Sequence, residues 1–160
     1  MTTIRATNLI HAPIEICFRF SRSIDLELRA ANKYGIRAID GVTNGLIGPG
    51  DRVTWRTKQF CVTVEHTTEI TGFREPEYFQ DSMVHGLFAS FHHNHFFRVI
   101  SSSETEMRDE LHFTMPQRLA GRIGEAMISR RRLTALLERR NALIKKEAEL
   151  AAIGIEQECQ

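Results

Sequence analysis

The chain has 160 residues, with 21 Lys and Arg against 20 Asp and Glu, a net charge of +1 and 42% hydrophobic residues. That length suits one domain able to bury its own core without disulfides or metals, and the composition excludes global disorder. The balanced charge gives no footprint for nucleic acid, no run approaches the roughly 18 apolar residues of a membrane span, and residues 1–10 lack the basic-then-apolar pattern of a secretory signal.

In chain order, residues 3–10 are extended and β-branched and predict a first strand. His11-Ala12-Pro13 ends it, and Pro13 suits the first turn of a helix because its missing N–H is not needed there. Residues 14–20 predict a short helix with Ile16, Cys17 and Phe20 on one side. Ser23 caps a second short helix carrying Ile24, Leu26, Leu28 and Ala31, with Asp25 and Glu27 near its positive end. From Gly35 to Met115 the pattern has period two, punctuated by turns at Gly41, Gly45, Gly48 and Pro49-Gly50-Asp51. One face carries Val53, Trp55 and Thr57, then Val62, Val64, His66, Thr68 and Ile70. A turn is read at residues 72–76. Residues 78–85 alternate again. Phe91, His93, His95 and Phe97 share a face, as do Met107, Asp109, Leu111 and Phe113, whereas His92 and His112 fall on the opposite, solvent side.

Pro116 ends the sheet. Residues 118–150 predict one long helix, with Leu119, Ile123, Met127, Leu133, Leu137 and Ile144 as its apolar stripe. The basic residues Arg130, Arg131, Arg132, Arg139, Arg140, Lys145 and Lys146 are read as its solvated face. Cys17, Cys61 and Cys159 lack metal-ligand spacing, and their odd number fits reduced thiols in a cytoplasm. Residues 1–150 form a single domain in this reading, and residues 151–160 a flexible tail. The fold class is α+β: a helix-grip arrangement in which a curved antiparallel sheet of about seven strands, with two short helices, encloses a cavity against the long C-terminal helix.

The sequence resembles the START/birch-pollen-allergen superfamily, also called SRPBCC or polyketide cyclase/dehydrase-like, over about residues 3–148. The resemblance rests on Ile10-His11-Ala12-Pro13-Ile14-Glu15 followed by Phe18, and on Ser21-Arg22-Ser23-Ile24-Asp25-Leu26. It continues through the block at residues 41–48, Gly50-Asp51-Arg52-Val53-Thr54-Trp55, Asp81-Ser82-Met83-Val84-His85-Gly86, His93-Asn94-His95-Phe96-Phe97 and Met107-Arg108-Asp109. The later blocks are similar to a bacterial subgroup of ligand-binding proteins. The resemblance implies a hydrophobic cavity but no single activity: members bind lipids, hormones, quinones or polyketides, and a minority are enzymes.

Alternation places Trp55, His66, Asp81, His85, His93, His95 and Asp109 on inward faces, where an unpaired charge is costly and a polar group can orient a ligand. Three readings of this group compete. The polar residues satisfy one another; or His93, His95 or Asp109 binds the polar end of a lipid-, quinone- or polyketide-like molecule; or they do chemistry. For the last, an Asp109–His93 pair could run acid–base catalysis of cyclase or dehydratase type. His93-x-His95, about 7 Å apart along a strand, could hold a metal with His66 and a carboxylate, although such spacing arises readily by chance. The expected ligand-binding residues are Trp55, His66, Met83, Phe91, His93, His95, Phe97, Asp109, Leu111, Phe113, Met127 and Leu137, with Val53, Val64, Ile123 and Leu133 also lining the cavity. No cofactor is expected and no metal is assigned. The preferred reading is a cytoplasmic binding module for a small hydrophobic molecule, with no nucleic-acid partner and no membrane span. The competing readings are the enzyme and an interaction module, such as a homodimer through a strand edge or the charged helix.

Overall fold

The computed structural model describes residues 1–59, 62–116 and 130–158. The expected positions Phe60, Cys61, Leu119, Ile123, Met127 and Cys159 lie outside these described residues. In chain order the elements are β1 (Thr2–Ile10), α1 (Ile14–Ser21), α2 (Ile24–Ala31), a single 3-10 turn (Asn32–Tyr34), β2 (Arg37–Gly41), β3 (Arg52–Gln59), β4 (Val62–Arg74), β5 (Tyr78–His85), β6 (Ser90–Ser101), β7 (Glu104–Thr114) and the long helix α3 (Arg130–Glu158). One seven-stranded sheet runs in the order β1-β7-β6-β5-β4-β3-β2, with every neighbouring pair antiparallel. Consecutive hairpins build β2 to β7, and the first strand returns to pair with the last.

The caps of the two short helices match the sequence, but the buried side of α1 is Ile14, Cys17, Phe18 and Ser21, with the expected Ile16 and Phe20 only partly buried beside it. Pro13 stands just before α1 as its N-cap, with ψ 150°, and Ile14 opens the helix. Ser23 accepts a hydrogen bond from the Leu26 amide at 3.3 Å and caps α2. The Asp25 carboxylate accepts from the Gly45 amide at 2.9 Å and ties the β2–β3 connection to the start of α2. Gly41 is required where it stands: its φ is 74°, and a Cβ would lie 2.2 Å from the Arg52 carbonyl oxygen.

Two boundaries and one face differ from the sequence reading. The turn read at residues 72–76 begins later, because β4 continues through Arg74 by way of a bulge between Ile70 and Gly72. The long helix runs to Glu158, beyond the end expected near Leu150, so most of the expected tail is helical. His85, assigned to the inner face, is exposed. A register shift between Thr67 and Thr68 pairs Met83 with the inward Thr68 but His85 with the outward Thr67.

Among the described residues the core has two apolar clusters. One gathers round Phe18 of α1, whose ring meets Phe73, Phe79 and Phe97 edge-on at 5.4, 5.7 and 5.4 Å. Ile10, Met107, Ile144 and Ala148 belong to the same cluster. The other joins Ile4, Leu111, Phe113 and Leu137. The C-terminal half of α3 is held by Ile144 and Ala148, and by polar ties at its edge: Lys145 Nζ donates to the Leu9 carbonyl at 2.7 Å, and Glu149 accepts from the His11 amide at 3.0 Å. No described helix is long and apolar enough to cross a membrane.

Cys17 is fully buried in the Phe18 cluster, its thiol directed at the Ala12 carbonyl, and burial pushes the thiol up to about 11. The native protein should therefore leave Cys17 unmodified by iodoacetamide near neutral pH and expose it only on denaturation. Peptide mapping of alkylated cysteines checks this, and native-state labelling at Cys17 would contradict the packing.

Candidate functional site

Each element that crosses the core changes from apolar to polar and back at the same level. On β7 the inward series is Met107, Asp109, Leu111, and on β6 it is Phe97, His95, His93, Phe91. On β5 Phe79 is followed by Asp81. On α3 Leu137 is followed by Arg140 and Asn141, then Ile144. Sheet register makes these meet: Phe79 pairs with His95, Asp81 with His93, and His95 with Asp109. The result is a polar layer between the two apolar clusters.

Asp109 sits at its centre with no exposed surface. Its Oδ1 lies 2.6 Å from His95 Nδ1, and its Oδ2 accepts from Asn141 Nδ2 at 2.7 Å. Arg140 Nη1 stands 3.7 Å from the same Oδ1. Arg140 also donates to the Ser21 carbonyl at 2.7 Å and pairs with Glu27 of α2. Asp81 faces the other side of the two imidazoles: its Oδ1 is 3.3 Å from His95 Nε2 and 3.7 Å from His93 Nδ1. His93 Nε2 lies 3.2 Å from Asp109 Oδ1 but off the line a hydrogen bond needs, and it has no hydrogen-bond partner.

Burial alone would raise both carboxyls. For Asp81 the hydrogen bond from His95 and the charges of His93, His95 and Arg140 reverse the effect, and it titrates below its usual range. For Asp109 the charge of His95 and the contacts with both imidazoles hold it well below. His93 is lowered, first by burial and then by the neighbouring His95.

Above this layer, between the sheet and α3, lies a cavity of about 250 Å³. Its walls are mostly apolar: Val53, Trp55 and Val64 from the sheet, Leu87 and Phe88 from the β5–β6 connection, and Leu133, Leu136 and Leu137 from α3. Asp81, His93, His95 and Arg140 form its polar end. His66 lines it separately, held edge-on between Phe91 at 4.8 Å and Phe88 at 5.6 Å, with neither ring nitrogen hydrogen-bonded. A Cβ on Gly86 would stand 2.4 Å from His66 Nδ1, so that glycine makes room for the ring.

Of the residues expected from sequence, Trp55, His66, Phe91, His93, His95, Leu111 and Leu137 line the cavity, as do Val53, Val64 and Leu133. Met83 pairs with Thr68 on the inner face but is not among the lining residues. Phe97, Asp109 and Phe113 are buried behind the wall, at 4%, 0% and 4% exposure. Met127 lies outside the described residues. His112 is not free in solvent; it meets Thr3 Oγ1 at 3.0 Å on the outer face. The metal grouping considered with His66 does not form: the imidazole and carboxylate donors that cluster within 4.8 Å are those of Asp81, His93 and His95.

Sequence reasoning misses Arg140, Asn141 and Glu27. It puts Arg140 on the solvated face of the helix, yet the residue is 6% exposed. The signal lies in the spacing, because the stripe Leu133, Leu137, Ile144 skips one turn, and Arg140 and Asn141 occupy it.

No protein-family model matches the chain, and no curated protein matches it. Solved structures do. A protein of Thermus thermophilus superposes with a TM-score of 0.63 at 13% identity, covering 89% of this chain and 97% of that one. A major latex-like protein of Panax ginseng gives 0.63 at 10% identity, over 92% and 97%. Norcoclaurine synthase of Thalictrum flavum, a point mutant in complex with a transition-state analogue, gives 0.60 at 10% identity, over 91% and 95%. The seven-stranded sheet gripping a long C-terminal helix is thus the helix-grip fold that these structures share. At these identities the likeness is one of fold.

The polar layer and His66 each lead to a measurable consequence. Replacing Asp109 by Ala leaves the layer's donors unmatched and should lower stability by about 3–5 kcal/mol, whereas Glu110→Ala on the outer face should change it by less than about 1 kcal/mol. Urea denaturation of the two variants reads the contrast. Burial, only partly opposed by the Asp81 charge, holds His66 down to about 4 from an ordinary 6.5. Its neutral form in the folded state favours folding fully above the unfolded value, and that contribution is lost as pH falls from 6.5 towards 4. Between about pH 7.5 and about pH 4.5 the wild type should lose about 2 kcal/mol more stability than His66→Gln.

Proposed function

We propose that this protein binds a small, mostly apolar molecule of lipid-, quinone- or polyketide-like character in the cavity between the sheet and the C-terminal helix, in a cytoplasmic setting. The observation that carries the reading is the cavity itself: about 250 Å³ of space with mostly apolar walls and a polar end formed by Asp81, His93, His95 and Arg140. That volume is below the roughly 300–1,000 Å³ of pockets for drug-sized molecules and suits a smaller ligand. Apolar walls supply affinity through burial of ligand surface, and the polar end fixes which way round the ligand enters. His66 also lines the cavity, with both ring nitrogens buried and without hydrogen-bond partners. The buried free thiol of Cys17 is in keeping with a reducing compartment.

A second reading is favoured by one specific observation. The His95–Asp109 contact of 2.6 Å, with His95 lining the cavity, is the geometry an enzyme of cyclase or dehydratase type needs for proton transfer to or from a bound carbonyl compound. The crystallised complex of norcoclaurine synthase with a transition-state analogue supports chemistry as one use of this fold.

Trp55 is the only tryptophan and lines the cavity, so its emission reports occupancy directly. Titration with a medium-chain fatty acid or a short-chain quinone should shift or quench that emission saturably. Val64→Phe, which fills the cavity, should weaken binding at least about tenfold, near 1.4 kcal/mol. No saturable change for any apolar probe, or one indifferent to Val64→Phe, would count against the site. A ligand returned chemically unchanged by the wild type speaks for binding alone; one that is converted favours the second reading.

A further inference from the structure

We propose that Asp81, His93 and His95 form a site for a divalent transition-metal ion of the Zn²⁺ type, with its open coordination position facing the cavity.

The first argument is the placement of lone pairs. Each imidazole spans the same two carboxylate oxygens. His95 presents Nδ1 to Asp109 Oδ1 at 2.6 Å and Nε2 to Asp81 Oδ1 at 3.3 Å. His93 presents Nε2 to Asp109 Oδ1 at 3.2 Å and Nδ1 to Asp81 Oδ1 at 3.7 Å. A neutral His95 that gives its N–H to Asp109 turns a lone pair towards Asp81. Acceptors facing each other at these distances repel unless a proton or a metal cation lies between them. A tetrahedral ion bound at 2.0–2.1 Å keeps its ligand atoms about 3.4 Å apart, close to both spacings at Asp81. Asp109, itself fixed by Asn141 Nδ2 at 2.7 Å, then takes the place of the carboxylate that commonly orients a ligating histidine from behind. Coordination at His93 Nδ1 also turns its unpartnered Nε2 into line with Asp109.

The second argument is charge. The layer contains the buried carboxylate of Asp109, the part-buried carboxylates of Asp81 and Glu27, and one guanidinium bonded among them, Arg140. With both imidazoles neutral the group carries two uncompensated negative charges, which a low-dielectric interior disfavours. Protonating both rings would stack two cations with centroids 3.9 Å apart. One divalent ion balances the layer without that repulsion.

The third argument is access. Asp81, His93 and His95 line the cavity and Asp109 does not, so the three ligands present their free side to whatever enters. Two imidazoles and one carboxylate suit Zn²⁺, Co²⁺ or Fe²⁺ better than the all-oxygen preferences of Ca²⁺ or Mg²⁺. The open position fits an oxygen donor on the ligand, such as a carboxylate, enol or hydroxyl. The ion requires no occupant of the cavity, so this inference stands or falls separately from the apolar-ligand reading.

The test uses tag-free, chelator-stripped protein titrated with Co²⁺ alone, followed by visible absorption and by calorimetry. One equivalent should bind with a dissociation constant of about 1 µM or tighter. It should develop the intense visible bands of tetrahedral Co²⁺ and be displaced by Zn²⁺. Asp81→Asn and His93→Gln should each weaken binding at least about tenfold with the far-ultraviolet circular dichroism retained. Glu65→Gln, on the outer face beside Arg56, should leave binding unchanged. A wild-type titration that shows only the weak spectrum of hydrated Co²⁺ without saturation overturns the proposal without recourse to any variant. Binding undiminished in a folded Asp81→Asn protein overturns it equally.

Discussion

A carboxylate with no exposed surface, Asp109, organises this molecule. An unpaired charge at that depth would offset much of the stability of a small domain, so its partners have to arrive from several elements at once. They do: His93 and His95 from β6, Asn141 and Arg140 from α3, and through Arg140 the Glu27 carboxylate of α2. The long helix is therefore positioned by directional polar contacts at its middle as well as by the apolar residues Leu137 and Ile144 on either side. Apolar packing alone would allow the helix to slide along the sheet; an asparagine amide and a guanidinium aimed at one carboxylate do not.

The same constraint gives the cavity its character. Because the polar layer crosses the core at one level, the space above it has apolar walls and a charged end rather than uniform lining. Gly86 and His66 extend the theme at the other end of the wall, where a missing side chain allows an imidazole to stand without partners among aromatic rings. Orphaned nitrogens in a buried ring are uncommon in stable interiors.

Much of this is legible in the sequence, for definite reasons. Strict alternation along β6 and β7 puts His93, His95, Asp109 and Leu111 on the inner face, because a strand has a period of two and few bulges interrupt these two. Where a bulge does intervene, at Thr67/Thr68, the inference fails and His85 moves to the outside. The helix is harder. Arg140 and Asn141 read as part of a charged, solvated face when residue type serves as a proxy for exposure. Only the missing turn in the apolar stripe indicates otherwise. Pairing distance is beyond the sequence altogether: alternation places Asp109 near histidines but cannot choose His95 as its partner at 2.6 Å, or bring Asp81 to the far side of the same ring.

The central claim is that the space between sheet and helix is a binding site. Native mass spectrometry of the purified protein, followed by denaturing extraction and identification of whatever is released, tests it most directly. A retained or readily loaded apolar molecule, one per chain and lost on filling the cavity at Val64, is the predicted result. A protein that stays at its bare mass after exposure to a panel of fatty acids, quinones and aromatic polyketides would contradict the account.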